Sequence, residues 1–157
     1  MIDLMDARLM RLLQENAQQT AQELSAQVHM SASQLGRRRA RLETAGVITG
    51  YGARLDAGKL GLGVQAFVQI QLAAQGPEPK TRFESLIESQ PEIVAAWSLT
   101  GKADYLLRLY CRSLEHLNTI LHEVLLARAE VGRVHSRIVM QQVKKDAPLP
   151  VAPLPAL

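Results

Sequence analysis

The chain has 157 residues, 47% apolar and 21% charged, a globular balance that excludes wholesale disorder and allows one ordinary domain or two small ones. No apolar run approaches the ~18 residues needed to span a bilayer, no signal-peptide pattern opens the sequence, and the lone Cys111 excludes a disulfide framework or a cysteine-based zinc site. The net charge is only +3, yet residues 31–54 carry Arg37, Arg38, Arg39, Arg41 and Arg54 against Glu43 alone, so +4 sits in that segment and −1 in the rest.

Three short helices are predicted over residues 1–46. Asp3 can cap the first, whose apolar residues Met5, Leu9, Leu12 and Leu13 share a helical face. Thr20 with Glu23 forms a capping box opening a second helix that buries Leu24 and Val28. Ser31 with Gln34 forms another, opening a third helix that runs to about Ala45 and stops at Gly46. Two capped helices joined by a turn of about three residues, the second rich in arginine, read as a helix-turn-helix. So small a unit buries little surface alone and should lean on a partner or a second domain.

Residues 47–60 read as an extended linker or a short linker strand, closed by the glycine-rich stretch 58–63. Beyond it, Val64, Ala66, Val68, Ile70 and Leu72 alternate with Gln65, Gln69 and Gln71, as on a half-buried strand. A helix follows with Phe83, Leu86 and Ile87 inward, then strands at 93–99 and 105–111 about the turn Thr100-Gly101-Lys102-Ala103. Ser113 caps a further helix with Leu117, Ile120, Leu121, Val124 and Leu125 inward. Val134, Ser136, Ile138 and Met140 alternate in a last strand. The order βαββαβ is ferredoxin-like, so the fold class is α+β, with helices on one sheet face and enough apolar residues on the other to need a cover. A second subunit would provide it. Residues 61–145 make this domain. The tail 146–157, with four prolines, is expected to be extended or disordered, an inert terminus in preference to a proline-rich recognition ligand.

The chain resembles the Lrp/AsnC (feast/famine) transcription regulators over residues 3–145. The resemblance rests on four stretches in order: DLMDARLMRLLQ with its Asp6 to Leu12 spacing, SASQLGRRRARLETAGVITGYGARLD, PEIVAAWSLTGKADYLLRL, and IVMQQVK. It implies a DNA-binding helix-turn-helix, a linker strand and a ligand-sensing domain. It also implies dimers, often assembled into octamers or discs, pseudo-palindromic operators, and small effectors that are usually amino acids. The chain differs from the family pattern at Asn16-Ala17-Gln18-Gln19, at Gly36 within the third helix, and at Lys102-Ala103. It differs too at Arg39, which replaces an aliphatic residue and must lay its stem across apolar neighbours.

An arginine run is most often a solvated face, but here it lies on the second helix of a helix-turn-helix, and contact with double-stranded DNA is the favoured reading. Consecutive helical residues point ~100° apart, so the arginines cannot all enter one groove. Ser31, Ser33, Gln34 and Arg38 are the candidates for reading base edges, Arg37 and Arg41 for clamping phosphate, and Arg54 for a further phosphate contact. The turn Thr100-Gly101-Lys102-Ala103-Asp104 is either a plain hairpin connection or an effector site. In the second case its backbone N–H groups take a carboxylate, Asp104 takes an ammonium, and Ser136 of the same or the neighbouring subunit adds a hydroxyl. Trp97, Tyr105 and Cys111 read as core, and His135 as a polar-face residue.

No cofactor or metal is expected, since His29, His116, His122 and His135 lack ligand spacing. Siroheme decarboxylases resemble the same family, but their paired histidines have no counterpart among Ala95, Ala96, Trp97 and Gly101. That enzyme reading, and a ligand-binding module with vestigial DNA binding, are the alternatives to a regulator.

Overall fold

The computed structural model describes residues 2–74 and 76–152, in two compact units. One comprises residues 1–54 and 144–157, the other residues 55–143.

The first unit is built on three helices, α1 (Leu4–Glu15), α2 (Ala21–Val28) and α3 (Ala32–Thr44). Each begins where the sequence places a cap: Asp3, Thr20 and Ser31 accept from the N–H three residues on, and all three form reciprocal capping boxes. α3 ends at Gly46, whose φ of 68° is the left-handed conformation glycine adopts at little cost. Leu9, Met10, Leu13, Leu24, Val28, Leu35 and Leu42 form the shared core. Residues 47–63 contain no strand. The expected linker strand is therefore corrected to an irregular connector, since an extended segment in a single chain has no ladder partner there.

The second unit is a four-stranded antiparallel sheet in the order β2-β3-β1-β4, with β1 Val64–Leu72, β2 Ile93–Ser98, β3 Tyr105–Cys111 and β4 Val131–Ile138. Helix α4 (Pro77–Ser89) and helix α5 (Leu114–Thr119) supply the second layer, and α5 widens into a π-helical segment, Ile120–Leu125. The core lies between the layers, with Ala66, Val68, Ile70, Leu107, Leu109, Phe83 and Leu125 at its centre. Tyr105 joins it with its ring tilted 54° to that of Phe83, centroids 5.0 Å apart, and its hydroxyl donates to Glu84 Oε1 at 3.0 Å. Cys111 is fully buried.

Three expectations in this unit are corrected. Trp97 is not core: it stands opposite Leu106 on the open face and is 44% exposed. Met140 lies beyond the end of β4, fully in solvent. The open face is also more mixed than alternation alone implies. Register places Phe67, Leu106, Tyr110 and Trp97 there, but interleaved with Gln65, Gln69 and Arg108 and with His135 and Arg137 of β4.

The tail is corrected as well. Residues 146–152 are irregular, as their prolines require, but they are not untethered. The Gln14 amide donates to the Leu149 carbonyl at 3.1 Å and accepts from its N–H at 2.6 Å, while Val151 packs against the core of the three helices. Residues 153–157 lie outside the described residues.

Candidate nucleic-acid interface and ligand site

α3 buries Leu35 and Leu42. At ~100° per residue, Ser33 and Arg37 lie ~160° round the helix from Leu35, at the centre of the outward stripe. Both are exposed, and among the described residues neither has a side-chain partner. Ser31 and Gln34 are exposed too, but the capping box joins them. Gln34 Oε1 accepts from the Ser31 N–H and hydroxyl at 3.1 Å each, and Ser31 Oγ accepts from the Gln34 N–H at 3.2 Å.

Arg38 is drawn the other way. Its Nη1 reaches Asp3 Oδ2 at 2.5 Å and Asp6 Oδ1 at 2.8 Å, and Arg41 Nη2 reaches Asp6 Oδ2 at 2.5 Å. Asp3 and Asp6 are also the capping box of α1, each accepting from the other's N–H. The start of α1 and the middle of α3 are thus joined by one network of two carboxylates and two guanidiniums. Arg38 is not the free side chain that the base-reading expectation requires, because a carboxylate pair inside the unit already holds it. Arg41 is half exposed, with its Nη2 held by Asp6.

Asp6 is the residue that sequence reasoning missed. It is fully buried. Burial alone would push its carboxyl up, but the Arg41 guanidinium, the Asp3 N–H and the Arg38 guanidinium outweigh that and hold it at about 2. The signal was present. Asp6 shares the buried stripe of Leu9, Met10 and Leu13, and an acid on such a stripe needs a cation from elsewhere. Met30, Gln34, Arg37, Arg38, Arg41 and Asp3 line an open depression of about 330 Å³ beside this network.

Arg39 bends back over the linker. Its guanidinium lies 4.5 Å from the Tyr51 ring centroid and its Nε donates to Glu43 Oε1 at 3.0 Å, which also accepts from the Tyr51 hydroxyl at 2.8 Å. The guanidinium thus rests on an aromatic ring beyond the end of the helix. Arg54, also in the linker, donates to the Asp146 carbonyl at 3.4 Å.

In the second unit the turn Thr100-Gly101-Lys102 is exposed, and Gly101 has φ 108°, a conformation side chains disfavour. Asp104 closes the turn onto the sheet. Its Oδ2 accepts from the Leu72 N–H at 2.7 Å, its N–H donates to the Ile70 carbonyl, and its carbonyl accepts from the Leu99 N–H, both at 2.8 Å. Ser136 does not converge on this turn within one chain. It pairs with Val68, four residues along β1 from Leu72, and so shares the helix-side face with Val68. Among the described residues no group of histidine, cysteine and acidic side chains could hold a metal ion, and no helix is long and apolar enough to cross a membrane.

Comparison with known proteins matches both units. Residues 2–43 fit the model of the AsnC-type helix-turn-helix domain and residues 65–149 that of the Lrp/AsnC ligand binding domain. The chain is 30% identical over 151 residues to the DNA-binding transcriptional activator DecR of Escherichia coli K12, covering 96% of this chain and 99% of the relative. It is 34% identical over 143 residues to the leucine-responsive regulatory protein of Rhizobium meliloti, covering 91% and 92%. Among solved structures, a transcriptional regulator from Neisseria meningitidis in complex with L-Met superposes with a TM-score of 0.91 at 30% identity, covering 96% of this chain and 97% of that one.

Proposed function

Because the chain belongs to the Lrp/AsnC family of transcription regulators, we propose that it binds pseudo-palindromic double-stranded DNA as a dimer or larger homo-oligomer, under control of an amino-acid-like effector. The observation that carries the DNA reading is the outward stripe of α3. Ser33 and Arg37 are exposed there and uncommitted, while Arg38 and Arg41 are anchored to α1. Ser33 and Arg37 read base edges, with Ser31 and the Gln34 amide beside them at the helix start. Arg41 and Arg54 contact phosphate, and Arg38 acts as a strut. The base-reading role thus passes from Arg38 to Arg37. Subunits associate through the open sheet face, where Phe67, Leu106, Trp97 and Tyr110 supply apolar area.

The test selects a consensus from a pool of random duplex DNA with the wild-type protein, then measures Arg37→Ala and Arg38→Ala on that consensus and on the unselected pool. Arg37→Ala relaxes one base preference, and Arg38→Ala weakens both DNAs alike. A changed consensus in the Arg38 variant, with an unchanged one in the Arg37 variant, would reverse the assignment.

The effector reading rests on the Gly101 turn and on the solved relative that holds L-Met. The turn's N–H groups take the carboxylate, Lys102 favours an acidic or polar side chain over a basic one, and Asp104 fixes the turn and supplies negative charge beside it. Ser136 would have to come from a neighbouring subunit. A thermal-shift screen of the twenty amino acids tests this, since a ligand that favours the native state raises Tm. Stabilisation by lysine or arginine alone would contradict it.

A further inference from the structure

Residues of the C-terminal segment lie against the three-helix unit, held by α1 through Leu149 and packed on the core through Val151. Gln14 lies in the last turn of α1. Its side-chain amide carries a donor and an acceptor in one plane, the same pair that a strand edge offers. Both are spent on one residue: Nε2 donates to the Leu149 carbonyl at 3.1 Å and Oε1 accepts from the Leu149 N–H at 2.6 Å. The sequence suits that geometry. Leu149 stands between Pro148 and Pro150, so it carries the only N–H of the triplet, and the proline after it keeps its backbone extended. Two residues on, Val151 is partly buried against the core of the three helices. The Asp146 carbonyl accepts from Arg54 at 3.4 Å, a second polar contact at the segment's start.

We propose that residues 146–152 are a strap that completes the DNA-binding unit in cis, with Gln14 as its recognition residue. The three helices alone are a small unit with a limited core, and the strap adds an apolar side chain and a two-way main-chain contact. Its prolines limit the freedom lost on docking, because the free segment is already extended. The outward stripe of α3 takes no part in these contacts.

The experiment measures amide exchange by mass spectrometry in peptides from residues 1–54 of the intact protein, in a chain ending at Val143, in Gln14→Ala, and in the two changes combined. The expected result is about tenfold or faster exchange of α1 and α2 without the strap, with exchange in residues 64–138 unchanged. Gln14→Ala accelerates exchange in the full chain and has no further effect in the shortened one. Should the shortened chain fail to fold, Leu149→Pro replaces it, deleting the N–H that Gln14 accepts while keeping the backbone extended. An effect of Gln14→Ala of equal size with and without the strap, or α1 protection indifferent to the strap's removal, would overturn the proposal.

Discussion

Replacing Asp6 by Asn tests whether the carboxylate–guanidinium network holds the three-helix unit together. The variant keeps the side chain's shape and one oxygen for the Asp3 N–H, but removes the charge that Arg38 and Arg41 share and puts an NH2 donor in place of the other acceptor oxygen. In the folded protein the Asp6 carboxyl sits at about 2, below its ordinary 3.8. That difference is worth about 2–3 kcal/mol by linkage. The sign follows from the lowered folded value: the stabilisation is complete above pH ~4 and is lost as pH falls from there through about 2. Asp6→Asn is therefore expected to cost about 2–3 kcal/mol at neutral pH, and Asp6→Ala more, approaching the ~3–5 kcal/mol of a buried pair robbed of one partner. In so small a unit, 2–3 kcal/mol corresponds to a Tm lower by roughly 10–20 °C. Calorimetry of the full chain measures the shift, and hydrogen exchange assigns it to residues 1–54. The variant should also lose Asp6's share of the acid sensitivity between about pH 4 and pH 2, leaving the shares of Asp3, Glu23 and Glu43, which are lowered too. Unchanged protection of α1 and α3, or an acid profile that still matches wild type, would refute the reasoning.

Gly36 has open space where a Cβ would stand and sits within α3, so Gly36→Ala should stabilise the first unit by about 0.5–1 kcal/mol in chemical denaturation. If affinity for DNA falls while stability rises, the glycine marks where the duplex comes close. Asp104→Ala removes the acceptor for the Leu72 N–H and should cost the second unit about 1–3 kcal/mol, with Asp104→Asn milder, as urea melts of the two variants would show. Trp97→Asp or Phe67→Asp, each placing a charge on the open sheet face, should lower the molecular mass seen by light scattering at micromolar concentration. An unchanged mass would move the interface elsewhere.

Local chemistry was legible in the sequence and pairing between elements was not. The boxes Thr20/Glu23 and Ser31/Gln34 act over three residues, so helix starts could be read directly, and the period of two in Val64 to Leu72 identified the central strand. Arg38, by contrast, looks outward by composition and inward only once Asp3 and Asp6 are placed beside it, more than thirty positions away. The place of Ser136 within the chain was hidden for a related reason. Alternation says that it shares a face with Val134 and Ile138, but only the register with Val68 says which face and how far it lies from the Gly101 turn. Trp97 was assigned by residue type, whereas its partner Leu106 sets its side of the sheet. The tail was judged by its prolines, which do prevent regular structure, but one N–H between two of them is enough for Gln14 to hold.

The widened turn at Ile120–Leu125 bears on how this fold can change length. In a π segment the bonds run from i to i+5, which lets Ile120 and Leu125, five positions apart, both enter the core. In a regular α-helix the same five steps would swing Leu125 ~140° away from Ile120. Loss of one residue from the exposed pair His122 and Glu123 would leave four steps, and an ordinary α-helix would then bring the two apolar side chains back to one face. A single-residue deletion there can be absorbed by rewinding the helix, with the sheet and its register left as they are.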